Sequence, residues 1–230
     1  MNGRGRVGGQ RRRQMAQSDE ATLREALADR YRHVERIGLN ELASGNLSVR
    51  FGDGMLISPT GATAETICAG TIVRTDLDGA HEGPRRPSSE WRMHAEIYRR
   101  CPDAQAVVHT HSDNCVALSC HNRPLPGFHY LVGTFGGPDV PCVPYSTFGG
   151  EDLAEDAAAA LADRTACLLG SHGMISRGRS LDEAVTLAHR LEIMCRQYML
   201  ALTIGEPARL TDEQWREFFD RYAALSYGQP

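Results

Sequence analysis

The apolar segment AQAVVHTH carries two histidines, His109 and His111, one residue apart at its end. Alternate residues of a strand point to the same face, so the two imidazoles project together. A third histidine, His172, sits in the glycine-flanked run Gly170-Ser171-His172-Gly173. Three neutral imidazoles with an open fourth position suit a catalytic zinc ion. The same pair suits hydrogen-bonded core histidines equally well, and spacing alone does not choose. Glu90 follows Ser88-Ser89 at the start of a helical pattern. A carboxylate there can ligate a metal or move a proton beside a carbonyl, or simply favour the positive end of a helix. His94, four residues on, shares its face and reads as a support rather than a ligand. Three turns rich in small and hydroxyl residues, Ser44-Gly45-Asn46, Ser58-Pro59-Thr60-Gly61 and Ser88-Ser89, offer donors for a phosphate without a lysine. Taken singly, each is also an ordinary turn.

The elements that must position these groups follow from periodicity. Leu23, Leu27, Tyr31, Val34 and Ile37 recur at helical spacing, and Gly38 stops the helix. Leu47 to Phe51 and Met55 to Ser58 flank Gly52-Asp53-Gly54, a hairpin signal. Ile72 to Thr75 reads as a further strand, Glu90 to Arg100 as a helix and Ala104 to Thr110 as a buried strand. Ser112 to Cys120 is a short helix. The Pro- and Gly-rich stretch His121 to Gly150 is a loop with short strands expected near Tyr130 and Cys142. Asp152 to Arg164 is an Ala-rich helix. Ala166 to Leu169 and Met174 to Ser176 are strands around His172. Capping boxes at Ser180/Glu183 and Thr211/Gln214 open two final helices. Strands and helices alternate while the hairpin demands antiparallel pairing, so the expected fold is a three-layer α/β/α arrangement with a mainly antiparallel central sheet.

The chain has 230 residues, which suits one domain, here 18–230, behind an Arg-rich start over residues 1–17 expected to be disordered. Hydrophobic residues make up 41%, charged residues 23% and the net charge is −4, ordinary for a soluble protein and without the basic footprint of a nucleic-acid binder. No apolar run is long enough to span a bilayer, and the Arg- and Gly-rich start, Met1 to Gln14, lacks the apolar h-region expected of a signal peptide. Seven scattered cysteines without CxxC read as reduced core residues of a cytoplasmic protein.

In order along the chain, GNLSVR (Gly45 to Arg50), LISPTG (Leu56 to Gly61), PSSEWRMH (Pro87 to His94), AVVHTH (Ala106 to His111), VPYSTFG (Val143 to Gly149) and SHGMI (Ser171 to Ile175) resemble the class II aldolase/adducin family, and within it the sugar-phosphate aldolases. The likeness runs from about residue 23 to near the C-terminus and omits only the Arg-rich start. It implies one Zn²⁺ per subunit held by Glu90, His109, His111 and His172, a donor set that Mn²⁺ or Co²⁺ could also occupy. It implies phosphate binding by Gly45, Asn46, Thr60, Gly61, Ser88 and Ser89, with Glu90, Tyr130 and Tyr227 catalytic and Phe148 on the pocket wall. It implies a homotetramer with active sites between subunits, Tyr130 entering from the neighbour. The implied substrate is a small phosphorylated sugar: a ketose 1-phosphate of the L-fuculose 1-phosphate type, or a 5-deoxy-pentulose 1-phosphate, cleaved to dihydroxyacetone phosphate and an aldehyde. Epimerase, dehydratase and decarboxylase siblings and an adducin-like scaffold are the alternatives. Two departures stand out: Ala43 where the aldolases carry threonine, and Ser171 where His or Asn is usual.

Overall fold

The computed structural model describes residues 4–225, with side chains from residue 19 onward. The disordered start expected over residues 1–17 falls on residues whose side chains lie outside that range, and it stands as an expectation. Tyr227 also lies outside the described residues. Among the described residues no helix is long and apolar enough to cross a membrane.

Seven strands form one sheet: β1 (Asn46–Phe51), β2 (Gly54–Ile57), β3 (Val73–Asp76), β4 (Ala106–Thr110), β5 (Cys142–Val143), β6 (Ala166–Leu169) and β7 (Gly173–Gly178). Their order is β3-β2-β1-β4-β7-β6-β5, and every pair is antiparallel except β5 with β6. The helices are α1 (Arg4–Arg36), α2 (Trp91–Arg100), α3 (Asp113–Ser119), α4 (Glu151–Ala160), α5 (Leu181–Leu202) and α6 (Asp212–Ala224).

Period-two alternation in the strands decides the layers. Leu47, Val49, Ala106, Val108 and Met174 pack in one core with α1, α3 and α5. Val107, Cys167, Leu169 and Ile175 face the other way and pack with α2 and α4. The result is the three-layer α/β/α arrangement with a mainly antiparallel sheet. At the hairpin, Gly52 sits at φ +57, and a side chain at Gly54 would collide with the Thr75 carbonyl, which explains both glycines.

Four local expectations are corrected. No strand forms near Tyr130; Tyr130–Phe135 is a 3₁₀ helix started by the His129 ring, whose Nδ1 accepts from the Leu131 N–H at 3.1 Å. Proline on both sides of that segment removes ladder donors, and the glycines there weaken a strand further. The helix expected from Glu90 starts one residue later: Glu90 is its N-cap but its side chain makes no capping hydrogen bond, and the Ser88 hydroxyl accepts from the Glu90 N–H at 3.3 Å. The Ser180 box is one-sided, because Glu183 accepts instead from the Arg179 N–H, whereas the Thr211/Gln214 box is complete. The cysteines are all free, yet Cys68 and Cys120 are exposed rather than in the core.

Candidate active site

The strand β4 turns Val107 and His109 to the α2 side, and His111 follows in the same sense just past the strand end. The β6–β7 hairpin brings His172 back alongside, and the start of α2 delivers Glu90. The three imidazole rings stand mutually edge-on with centroids 4.8–4.9 Å apart. Glu90 Oε2 lies 3.1 Å from His109 Nε2, and Glu90 Oε1 lies 3.3 Å from His172 Nε2. His109 Nε2 and His111 Nε2 are 3.0 Å apart. One ligand atom from each of the four residues falls within 4.8 Å of all the others. His109 and Glu90 are buried, at 0% and 5% exposure.

This donor set fits a metal ion. His109 Nδ1 donates to the Met174 carbonyl at 2.8 Å, so Nε2 is the ring atom aimed at the carboxylate and at a second imidazole nitrogen. Burial pushes the His109 ring down, but Glu90 outweighs it and raises it, so Nε2 holds a proton that a metal ion would replace. Glu90 Oε1 is buried and accepts no hydrogen bond, facing only His172 Nε2 at 3.3 Å. A cation suits both conditions, and three imidazoles with one carboxylate are zinc chemistry. Electrostatics agree. Burial pushes the Glu90 carboxyl up, but His109 and His172 outweigh it and hold it well below the usual carboxylate range. Burial and the charges of His109 and His172 push His111 down to about 4, so it is a neutral ligand.

A cavity of about 280 Å³ opens over the cluster, lined by Glu90, His111, His172, Ser44, Ser89, Ser171 and the aromatics Tyr145 and Phe148. A second cavity, about 300 Å³, holds Thr60, Arg86, Ser88 and Ser89. Ser89 belongs to both, so the two adjoin. The phosphate candidates are tied together from below. A bridge between Pro59 and Pro87 sets Thr60 and Gly61 beside Ser88 and Ser89. The Ser58 hydroxyl accepts from the Leu47 N–H at 3.1 Å, and Tyr31 Oη donates to the Ala62 carbonyl at 2.7 Å while lying 3.3 Å from that of Gly45. Gly45 is required because any side chain there would strike Asn40. The Asn46 side chain, by contrast, turns inward: its Nδ2 donates to Glu90 Oε2 at 2.9 Å.

Tyr130 is not brought to this cluster. It is 53% exposed, stacks on His129 and lines a separate cavity with Phe218 and Tyr222. Sequence reasoning did not single out Arg86 or Tyr145. Arg86 sits one residue ahead of the Pro-Ser-Ser turn, and that proximity was the available signal.

A three-layer fold of this topology carrying this cluster is the architecture of a metal-site protein, and residues 25–199 match the family described as Class II Aldolase and Adducin N-terminal domain; the chain belongs to that family. Among its relatives, a 5-methylthioribulose-1-phosphate/5-deoxyribulose-1-phosphate aldolase of Rhodospirillum rubrum is 44% identical over 200 residues, covering 87% of this chain and 90% of that protein. The L-fuculose phosphate aldolase of Escherichia coli K12 is 44% identical over 193 residues, covering 84% and 90%. A solved L-fuculose 1-phosphate aldolase superposes with a TM-score of 0.83 at 33% identity, covering 88% of this chain and 96% of that one.

Proposed function

We infer that the protein is a zinc-dependent class II aldolase, an aldehyde-lyase that reversibly cleaves a ketose 1-phosphate to dihydroxyacetone phosphate and a small aldehyde. The observation that carries this reading is the convergence of Glu90, His109, His111 and His172 at the floor of a cavity that adjoins a hydroxyl-lined one. A scaffold of the adducin kind has no use for such a cluster. Tyr145 and Phe148 put an apolar wall beside the metal ligands. That wall suits an aldehyde ending in a methyl group, as both L-fuculose 1-phosphate and 5-deoxy-pentulose 1-phosphates release.

Zinc in this site supplies Lewis-acid stabilisation of the negative charge that develops on the substrate's oxygens. The protein's own groups do the rest. Gly45, Thr60, Gly61, Ser88 and Ser89 hold the phosphate, while Asn46, buried and bonded to Glu90, serves the metal half instead. In the synthetic direction ionised Glu90 takes a proton from the carbon next to the carbonyl. That carbon's electron pair then forms the new bond to the aldehyde carbon, and the aldehyde oxygen takes up a proton. Cleavage is the same sequence reversed. Tyr130 is our candidate donor to the aldehyde oxygen, acting from a neighbouring copy of the chain in a homotetramer. Its exposure and its distance from its own cluster are what that role needs. Tyr227 is the second aromatic candidate.

The test is release of dihydroxyacetone phosphate from L-fuculose 1-phosphate and from 5-deoxyribulose 1-phosphate by zinc-loaded protein, with and without chelator. Chelator-sensitive cleavage is expected, and the preferred sugar names the aldehyde. Absence of cleavage of either would move the reaction to an epimerase, dehydratase or decarboxylase.

A further inference from the structure

Behind Glu90 runs a buried polar ladder that neither the ligands nor the phosphate loops account for. The spacing that builds it is simple. Glu90, His94 and Tyr98 recur every four residues, from the N-cap of α2 through the helix, a rise of roughly 6 Å per step. Asn46 and Ser48 are two residues apart on β1, also roughly 6–7 Å per step. Helix and strand therefore interleave rung by rung. Asn46 Nδ2 donates to Glu90 Oε2 at 2.9 Å. His94 Nε2 lies 2.6 Å from Asn46 Oδ1, His94 Nδ1 lies 2.7 Å from Ser48 Oγ, and Ser48 Oγ lies 2.8 Å from Tyr98 Oη. His94 and Ser48 are fully buried, and Tyr98 is 2% exposed.

The Glu90 end of the ladder fixes its direction. There the ionised carboxylate can only accept. Tyr98 therefore donates to Ser48, Ser48 to His94 Nδ1, His94 Nε2–H to Asn46 Oδ1, and Asn46 Nδ2–H to Glu90. Burial, with the charge of His109, pushes His94 down to about 3 against the pull of Glu90, so the ring stays neutral and has one donor and one acceptor to give. Reversing any rung would set two acceptors or two donors face to face in a dry interior.

We propose that His94 is a positioning residue: it locks the Asn46 amide so that Glu90 Oε2 is a permanently bonded acceptor, and Oε1 is the oxygen that carries the proton. This rests on Glu90 being the proton carrier in the reaction proposed above. Oε1 accepts no hydrogen bond and faces only His172 Nε2, at 3.3 Å, whereas Oε2 is bonded by the Asn46 amide; that is the asymmetry the ladder creates.

The first experiment is a ¹⁵N–¹H correlation spectrum of the zinc-loaded, ¹⁵N-histidine-labelled protein at neutral pH, with His94 assigned through the His94→Gln variant. The neutral tautomer protonated at Nε2 is expected; an Nδ1–H tautomer or an imidazolium overturns the proposal. This readout does not depend on activity. If wild-type protein cleaves no ketose phosphate, the proton-carrier reading fails while the tautomer result stands alone. The second experiment is kinetic. His94→Leu should lower kcat about 10–100-fold, the usual effect of removing a group that orients a site, with zinc content and KM little changed. His94→Gln keeps an N–H for Asn46 and should recover most of that loss. Unchanged kcat in folded His94→Leu overturns the proposal, as does equal loss in both variants. Should His94→Leu not fold, Ser48→Ala frees Nδ1 and admits the opposite tautomer. An Nδ1–H signal with lower kcat then supports the lock, and unchanged tautomer with unchanged kcat overturns it.

Discussion

The two halves of the active site are built on different principles. The metal cluster stands on a strand, a hairpin and a helix start, with Glu90 and His109 buried and a polar ladder fixing the carboxylate. The phosphate half is made of turns; Thr60, Gly61 and Ser89 are exposed, braced by the Pro59–Pro87 bridge and the ties from Ser58 and Tyr31. Groups that move protons and hold charge are preorganised in a water-poor frame, where electrostatics are strongest. Groups that recognise a fully solvated phosphate sit where it can enter and leave. If this division is real, changes in the buried half should act on kcat and metal content, and changes in the loops on KM.

The largest effect should come from the ligands. His109→Ala should remove zinc and lower kcat/KM on the order of 10³-fold or more, read by metal analysis and product release. Glu90→Gln should cost about 10²–10⁴-fold in kcat, the range of a lost general acid or base, while three imidazoles keep the metal bound. Zinc lost from Glu90→Gln as fully as from His109→Ala would erase the distinction between holding the metal and moving the proton.

Ser89 is the sharper instrument for the other half, since it lines both cavities. Ser89→Ala removes one hydrogen bond to a charged group, about 1.5–3 kcal/mol. KM for the ketose phosphate should rise roughly 10–100-fold with kcat nearly unchanged, in steady-state kinetics. A fall in kcat instead would mean that the phosphate loops also set the chemistry.

This contrast also explains what was legible in the sequence. The HxH pair followed from strand periodicity, and β4 does turn His109 to the α2 side with His111 beside it. The hairpin, the layer order and the Gly- and Ser-rich turns were equally readable, because each depends on residues close in the chain. The ladder was not. It requires that β1 lie against α2, some 45 residues apart, and that the Asn46 side chain face Glu90 rather than the phosphate. His94 could be placed behind the site by its four-residue spacing, but Ser48 and Tyr98 gave no separate signal, since a strand serine and a helical tyrosine are ordinary core-edge residues. Tyr130 was misplaced locally, as a strand, because glycine and proline outweighed its β propensity.

The smallest effect tests the loop half on its own terms. Leu42 and Ala43 sit consecutively at φ +52 and +60, the left-handed region, immediately before Ser44-Gly45. Leu42 is 96% exposed, so no packing offsets its backbone strain. Such strain costs roughly 1–2 kcal/mol per residue and persists where surroundings impose it, often at binding loops. Here the turn is closed by the Ser44 N–H and hydroxyl, both bonded to the Glu41 carbonyl. Leu42→Gly should relieve the strain but add about 0.5–1 kcal/mol of chain entropy to the unfolded state. The net gain should raise Tm by about 1–4 °C for a chain of this size. If the strained turn presets Ser44 and Gly45 for the phosphate, the same variant should raise KM severalfold with kcat unchanged, since the loop must then be ordered on binding. A higher Tm with an unchanged KM would mean that the strain is only tolerated, and that the phosphate half owes its geometry to the Pro59–Pro87 bridge, Tyr31 and Ser58.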